Sequence, residues 1–190
     1  STVELEIALE EPWPYAGHIE YSLAMEGKSL VQTMRLIAGE NEIRPFPGGV
    51  GWHPWFNASL GSDFVKATAD VSDQWTLDNT ATADGTYGVT DMTTRLQTGT
   101  KFAVREVDGC FLRNPNGTAV LEWPELKFTI TGSEEITHFM FYSPEDALCV
   151  EPQTSTIDTA KFADLGVENT GNVIVDRENP LIATATWSWE

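Results

Sequence analysis

Apolar and polar residues alternate along much of this chain with a period of two, the spacing of a strand with one buried face. Val3, Leu5 and Ile7 alternate with Thr2, Glu4 and Glu6, and Ile19, Tyr21, Leu23 and Met25 alternate with Glu20, Ser22 and Glu26. Glu26-Gly27-Lys28 predicts a turn, with residues Leu30 to Ile37 as the hairpin partner. Leu126, Phe128 and Ile130 alternate with Lys127, Thr129 and Thr131, and Phe139 and Phe141 continue after Gly132-Ser133-Glu134-Glu135. Near the end, Thr184, Thr186 and Ser188 alternate with Ala185, Trp187 and Trp189. Turn signals recur at Pro12-Trp13-Pro14, Asp84-Gly85, Asn116-Gly117 and Glu178-Asn179-Pro180.

Helix signals are few. Ser143-Pro144-Glu145-Asp146-Ala147 predicts one helical turn, since Ser caps and Pro suits the first helical position. Asp158 to Leu165 predicts a second short helix. Ser59 to Thr100 is polar and weakly patterned, and reads as long loops with edge strands. Many short strands joined by turns predict an all-β fold, an antiparallel β-sandwich or barrel.

The 190 residues suit one domain, 1–190, and 41% hydrophobic residues supply an ordinary core. No apolar run approaches the ~20 residues that span a bilayer. No signal peptide is visible, and a cytoplasmic location is expected. A net charge of −18 opposes nucleic acid and anionic membranes as partners. The two cysteines, Cys110 and Cys149, form no C-x-x-C pair, so no metal or redox site is expected. Two buried free thiols are expected, with a disulfide as the alternative.

Three segments could carry chemistry. In Pro45-Phe46-Pro47-Gly48-Gly49-Val50-Gly51-Trp52-His53-Pro54-Trp55-Phe56-Asn57, glycines and prolines fix an irregular backbone, and Pro54 restricts His53 to extended conformations. A sugar's C–H faces would stack on Trp52 or Trp55. The bland reading is a core cluster around a hydrogen-bonded His. In Cys149-Val150-Glu151-Pro152-Gln153-Thr154, a carboxylate at a strand end is costly if buried, and burial would raise its pKa toward that of a general base. The bland reading is a solvated Glu. Asp108 precedes Gly109 and a strand, where the bland reading is a turn residue.

Together these segments resemble the aldose 1-epimerase, or galactose mutarotase-like, family. Residues Gly49 to Phe56 are similar to its G-x-G-x-H-P-Y-F stretch, with Trp55 where Tyr is common. Val150-Glu151-Pro152-Gln153-Thr154 is similar to its hydrophobic-E-P-Q-T/S stretch, and Asp108-Gly109-Cys110-Phe111 to its D-x-x-F stretch. The hairpin beginning Tyr21-Ser22-Leu23 resembles the family's Y-x-L-x-x-x-G-L-x-V, with Lys28-Ser29-Leu30 in place of a shorter link. The resemblance matches the later part of the family pattern. It therefore implies a mutarotase-like supersandwich lacking its N-terminal portion, and with it a second active-site His and usually an Arg.

The resemblance implies mutarotation of a hexose between its α and β anomers, with Glu151 as base and His53 as acid on opposite sides of the ring. Asp108 would hydrogen-bond sugar hydroxyls, Trp52 or Trp55 would stack, and Gln153 would be a further contact. No cofactor or metal is needed. One alternative is a hexose-6-phosphate epimerase, which needs two or more of Arg35, Arg44, Arg105 and Arg113 near His53. The others are a non-catalytic carbohydrate-binding sandwich, with Glu151 turned away from His53, and an inactive fragment. The absent portion implies weak activity of the chain alone. Its unpaired sheet edges imply homo-oligomers.

Overall fold

The computed structural model describes residues 1–61, 63–78, 80 and 82–190. In chain order the described strands are β1 (Thr2–Ala8), β2 (Gly17–Met25), β3 (Ser29–Ala38), β4 (Phe46–Gly48), β5 (Trp55–Asn57), β6 (Lys66–Ala69), β7 (Val71–Leu77) and β8 (Ala83–Gly88). After helix α1 (Asp91–Thr98) come β9 (Asp108–Arg113), β10 (Ala119–Glu122), β11 (Lys127–Gly132), β12 (His138–Tyr142) and β13 (Ala147–Gln153). Helix α2 (Thr159–Asp164), β14 (Val173–Val175) and β15 (Leu181–Trp189) complete the order. Strand takes 50% of the chain and helix 7%, as the period-two pattern requires.

The strands form a seven-stranded sheet in the order β1-β2-β3-β15-β11-β10-β6 and a six-stranded sheet in the order β5-β13-β12-β9-β7-β8. Neighbouring strands in both are antiparallel, and β4 pairs with β14 in a small third ribbon. The main core lies between the two large sheets. Phe111, Phe139, Phe141, Leu148 and Val150 of one meet Ala67, Leu121 and Ile130 of the other. A second cluster lies on the outer face of the six-stranded sheet, where Trp75, Cys110 and Met140 are covered by Ile157 and by Phe162 of α2.

Four local expectations change. Ser143 to Ala147 is not helical; it joins β12 to β13, and Ser143 Oγ instead accepts the backbone N–H groups of Glu106 and Val107 at 3.0 Å. The polar stretch 59–100 holds β6, β7, β8 and α1, and β7 is an interior strand. Its residues Ser62, Asn79 and Ala81 lie outside the described residues. Helix α1 starts at Thr90, whose Oγ1 accepts Thr93 N–H at 3.2 Å while Thr93 Oγ1 accepts Thr90 N–H at 3.0 Å. Threonine at the third helical position thus closes a capping box usually built with Glu or Gln. Asp84-Gly85 lies within β8 rather than in a turn. Gly85 has φ +91°, and an added Cβ would stand 2.9 Å from the Phe162 ring.

Both cysteines are free and buried. Cys110 is on β9 and Cys149 on β13, with β12 between them. Two strand spacings separate them by about 9–10 Å, beyond the reach of a disulfide.

Candidate active site

The segment 50–57 runs antiparallel along the free edge of β13. Val50 and Thr154 are joined twice: Thr154 N–H donates to Val50 O at 3.0 Å, and Val50 N–H donates to the Thr154 side-chain Oγ1 at 3.0 Å. Trp52 N–H donates to Pro152 O at 3.1 Å. Gly51 bridges Gln153, and Trp55 stands opposite Cys149. Counting two residues inward from either pair sets His53 opposite Glu151. The ladder is interrupted there because Pro54 has no N–H. Gly51 leaves the room this approach needs, since a Cβ on it would come within 2.8 Å of Gln153 Cβ.

Directly opposed residues of an antiparallel pair point to the same face. His53 Nδ1 accordingly lies 3.3 Å from Glu151 Oε1. The imidazole is 56% exposed, whereas Glu151 is 9% exposed. Burial, with the neighbouring Asp108 carboxylate as a second cause, raises the Glu151 pKa from 4.5 to about 7. Cys149, two residues earlier on the same face, is fully buried; burial and the Glu151 charge push its thiol up to about 12.

The register of β12 and β9 extends this face. Glu151 neighbours Met140, which neighbours Cys110; Cys149 neighbours Tyr142, which neighbours Asp108. Asp108 is exposed at the start of β9. Trp55 is 60% exposed, stacks on His53 with ring centroids 5.8 Å apart, and meets the Tyr142 ring edge-on at 6.1 Å. A groove of about 470 Å³ lies beside Trp55, lined by Trp55, Asn57, Arg105, Tyr142 and Glu145 but not by His53 or Glu151.

Alternation decides the fate of the other predicted contacts. Trp52 has the opposite parity to His53 and points between the sheets, where it is 6% exposed against Ile136, Ala183 and Ala185. Trp55, not Trp52, therefore offers its ring beside His53. Gln153 shares the face of Glu151, but its amide donates to Ser155 O at 2.9 Å and approaches Cys110 Sγ at 3.5 Å. His138 stands opposite Gln153 on β12 and is fully buried. Its Nε2 accepts the Trp75 indole N–H at 3.0 Å, and its Nδ1 lies 2.8 Å from Thr137 Oγ1.

Residues 1–174 match the model of the family described as aldose 1-epimerase. The chain belongs to this family. No curated protein matches it in sequence. Among solved structures it is similar to an aldose 1-epimerase candidate from Escherichia coli K12, with TM-score 0.83 and 15% identity over 100% of this chain and 65% of the other. It is also similar to a galactose mutarotase-like protein from Clostridium acetobutylicum, with TM-score 0.82 and 18% identity over 100% of this chain and 62% of that one. A third is an aldose epimerase homologue from Caenorhabditis elegans, with TM-score 0.81 and 12% identity, covering 100% and 65% respectively. At such identities the likeness speaks for the fold. The chain spans 62–65% of the length of these structures.

Within this aldose epimerase fold the four arginines weighed for a phosphate are dispersed. Arg35 pairs with Glu20 at 3.1 Å, and Arg44 with Glu42 at 3.1 Å. Buried Arg113 donates to Gly132 O at 2.8 Å and Ser133 O at 3.0 Å. Of the four, Arg105 lines the groove beside Trp55, which Glu145 and Asp146 also line. Tyr142 was not singled out in the sequence, and Cys149 only as a buried thiol. The signal for both was parity: each lies two residues, or one cross-strand step, from a residue already chosen.

Proposed function

We propose that this protein is a mutarotase that interconverts the α and β anomers of an unphosphorylated hexose. The observation that carries the reading is the 3.3 Å contact between exposed His53 and buried Glu151, with Glu151 held at about 7. Such a carboxylate is ionised often enough to accept a proton and basic enough to be driven to do so. The contact also argues against a merely binding sandwich, in which Glu151 would face away from His53.

The two groups stand side by side and do not flank a sugar ring, which alters the expected geometry. A side-by-side pair still suits the chemistry. The anomeric hydroxyl and the ring oxygen are bonded to the same carbon, so adjacent groups on one face reach both. Glu151 takes the hydroxyl proton as the C1–ring-oxygen bond breaks and the C1 carbonyl forms. His53, as imidazolium, protonates the departing ring oxygen. Rotation about C1–C2 and the reverse proton transfers close the ring as the other anomer and restore both groups. The conversion is redox-neutral.

Trp55 stacks on the sugar's C–H face, and Asp108 accepts from its hydroxyls. Gln153 is at most a minor contact through its carbonyl. The dispersed arginines, and the Glu145 and Asp146 carboxylates that line the same groove as Arg105, favour an unphosphorylated sugar. Residues 1–190 act as one domain on this reading, supported by the pairing of β15 with β3 across most of the chain. Self-association through β1 belongs to the same proposal, because Val3, Leu5 and Ile7 are each more than half exposed. Exchange NMR on equilibrated glucose or galactose, with and without the 6-phosphate, tests the reading. Faster α–β exchange of the free sugar than of its phosphate supports it; no acceleration over buffer for any aldose overturns it.

A further inference from the structure

The donors on the His53 strip are of three chemical kinds and lie close together. His53 offers an imidazole nitrogen, Glu151 a carboxylate oxygen and Cys149 a thiol sulfur, all within 4.8 Å of one another. The pleat explains the convergence. Glu151 and Cys149 are two apart on β13 and share a face, while His53 is opposite the first and diagonal to the second. Around one tetrahedral zinc, bonds of about 2.0–2.3 Å set donors about 3.3–3.8 Å apart, so closure needs a contraction of about 1 Å. Small rotations of the His53, Glu151 and Cys149 side chains supply it.

We propose that His53, Glu151 and Cys149 bind a zinc-class divalent cation. Two strands supply the ligands, so no sequence spacing announces the site. The thiolate and imidazole select zinc over magnesium or calcium, which favour oxygen donors. On binding, Cys149 releases its proton to solvent, and sulfur, nitrogen and oxygen each donate a lone pair to the metal. Water fills the fourth position, on the side where His53 meets solvent. The bound cation occupies the lone pairs that Glu151 and His53 would use on a sugar, so it inhibits mutarotation; that consequence alone rests on the function proposed above.

Cobalt(II) is the probe, added to the whole chain without sugar. The expected result is one equivalent bound, with a thiolate-to-cobalt charge-transfer band that zinc abolishes. Cys149→Ser should lose the band, while His53→Gln and Glu151→Gln should each weaken binding by at least about 10-fold. Cys110→Ser leaves Cys149 as the one thiol and should keep the band, which secures the test if Cys149→Ser does not fold. No band in the wild type, its loss in Cys110→Ser, or its survival in Cys149→Ser overturns the site. A chain that binds cobalt but turns over no sugar overturns the mutarotase reading and leaves the metal site standing; turnover without cobalt binding does the reverse.

Discussion

Replacing Glu151 with Gln should stabilise the fold above neutral pH. The carboxyl titrates at 4.5 when unfolded and at about 7 when folded, because burial and Asp108 disfavour its charge. A carboxyl with a raised folded pKa contributes its full stability below the unfolded value and loses it as pH rises through the folded one. A shift of this size corresponds to on the order of 3 kcal/mol between the two limits. Gln fixes the neutral form at nearly the same shape. The mutant and wild type should thus unfold alike at about pH 4, and the mutant should be more stable by up to about 3 kcal/mol at about pH 8.5. Urea unfolding across that range, with a chelator present, measures the gap, and titrating groups not coupled to Glu151 cancel between the two proteins. A gap that stays constant with pH, or a wild type that gains on the mutant above pH 7, would refute the reasoning.

Trp52→Ala should destabilise by about 3–5 kcal/mol, as expected of a buried indole, and change sugar affinity little in whatever remains folded; Trp55→Ala should do the opposite, raising KM with a small change in urea midpoint. Gly51→Ala should cost about 1–3 kcal/mol, because its Cβ would press on Gln153, and should lower the mutarotation rate by shifting His53 off Glu151. His138, held by burial at about 3 instead of 6.5, contributes stability above pH 6.5 that is lost as pH falls toward 3. His138→Gln should flatten that acid limb in urea midpoints recorded against pH, and an unchanged limb would remove His138 as its source.

The strands that open and close the chain were legible because each has one polar and one apolar face, as in residues 19–25 and 126–131. The region 59–100 was not, because β7 carries Ser72, Asp73 and Gln74 in succession and β6 is built from small residues. Those strands are set by partners distant in sequence and by a bulge between Trp75 and Leu77. Within the candidate site, His53 and Glu151 could be chosen from their motifs. Their side-by-side placement could not, because it depends on the register of 50–57 against 147–154. The same register separates Trp52 from Trp55, which the sequence left as equals.

The central claim is that Glu151 is the base, and polarimetry of freshly dissolved α-galactose or α-glucose tests it most directly. The wild-type rate, corrected for buffer, should pass through a maximum with pH, its acid limb set by Glu151 ionising at about 7 and its fall at higher pH by loss of the His53 imidazolium. Glu151→Gln, shown to be folded by its urea transition, should be slower by at least about 10²-fold at every pH. A folded Glu151→Gln protein that matches the wild-type rate would contradict the account.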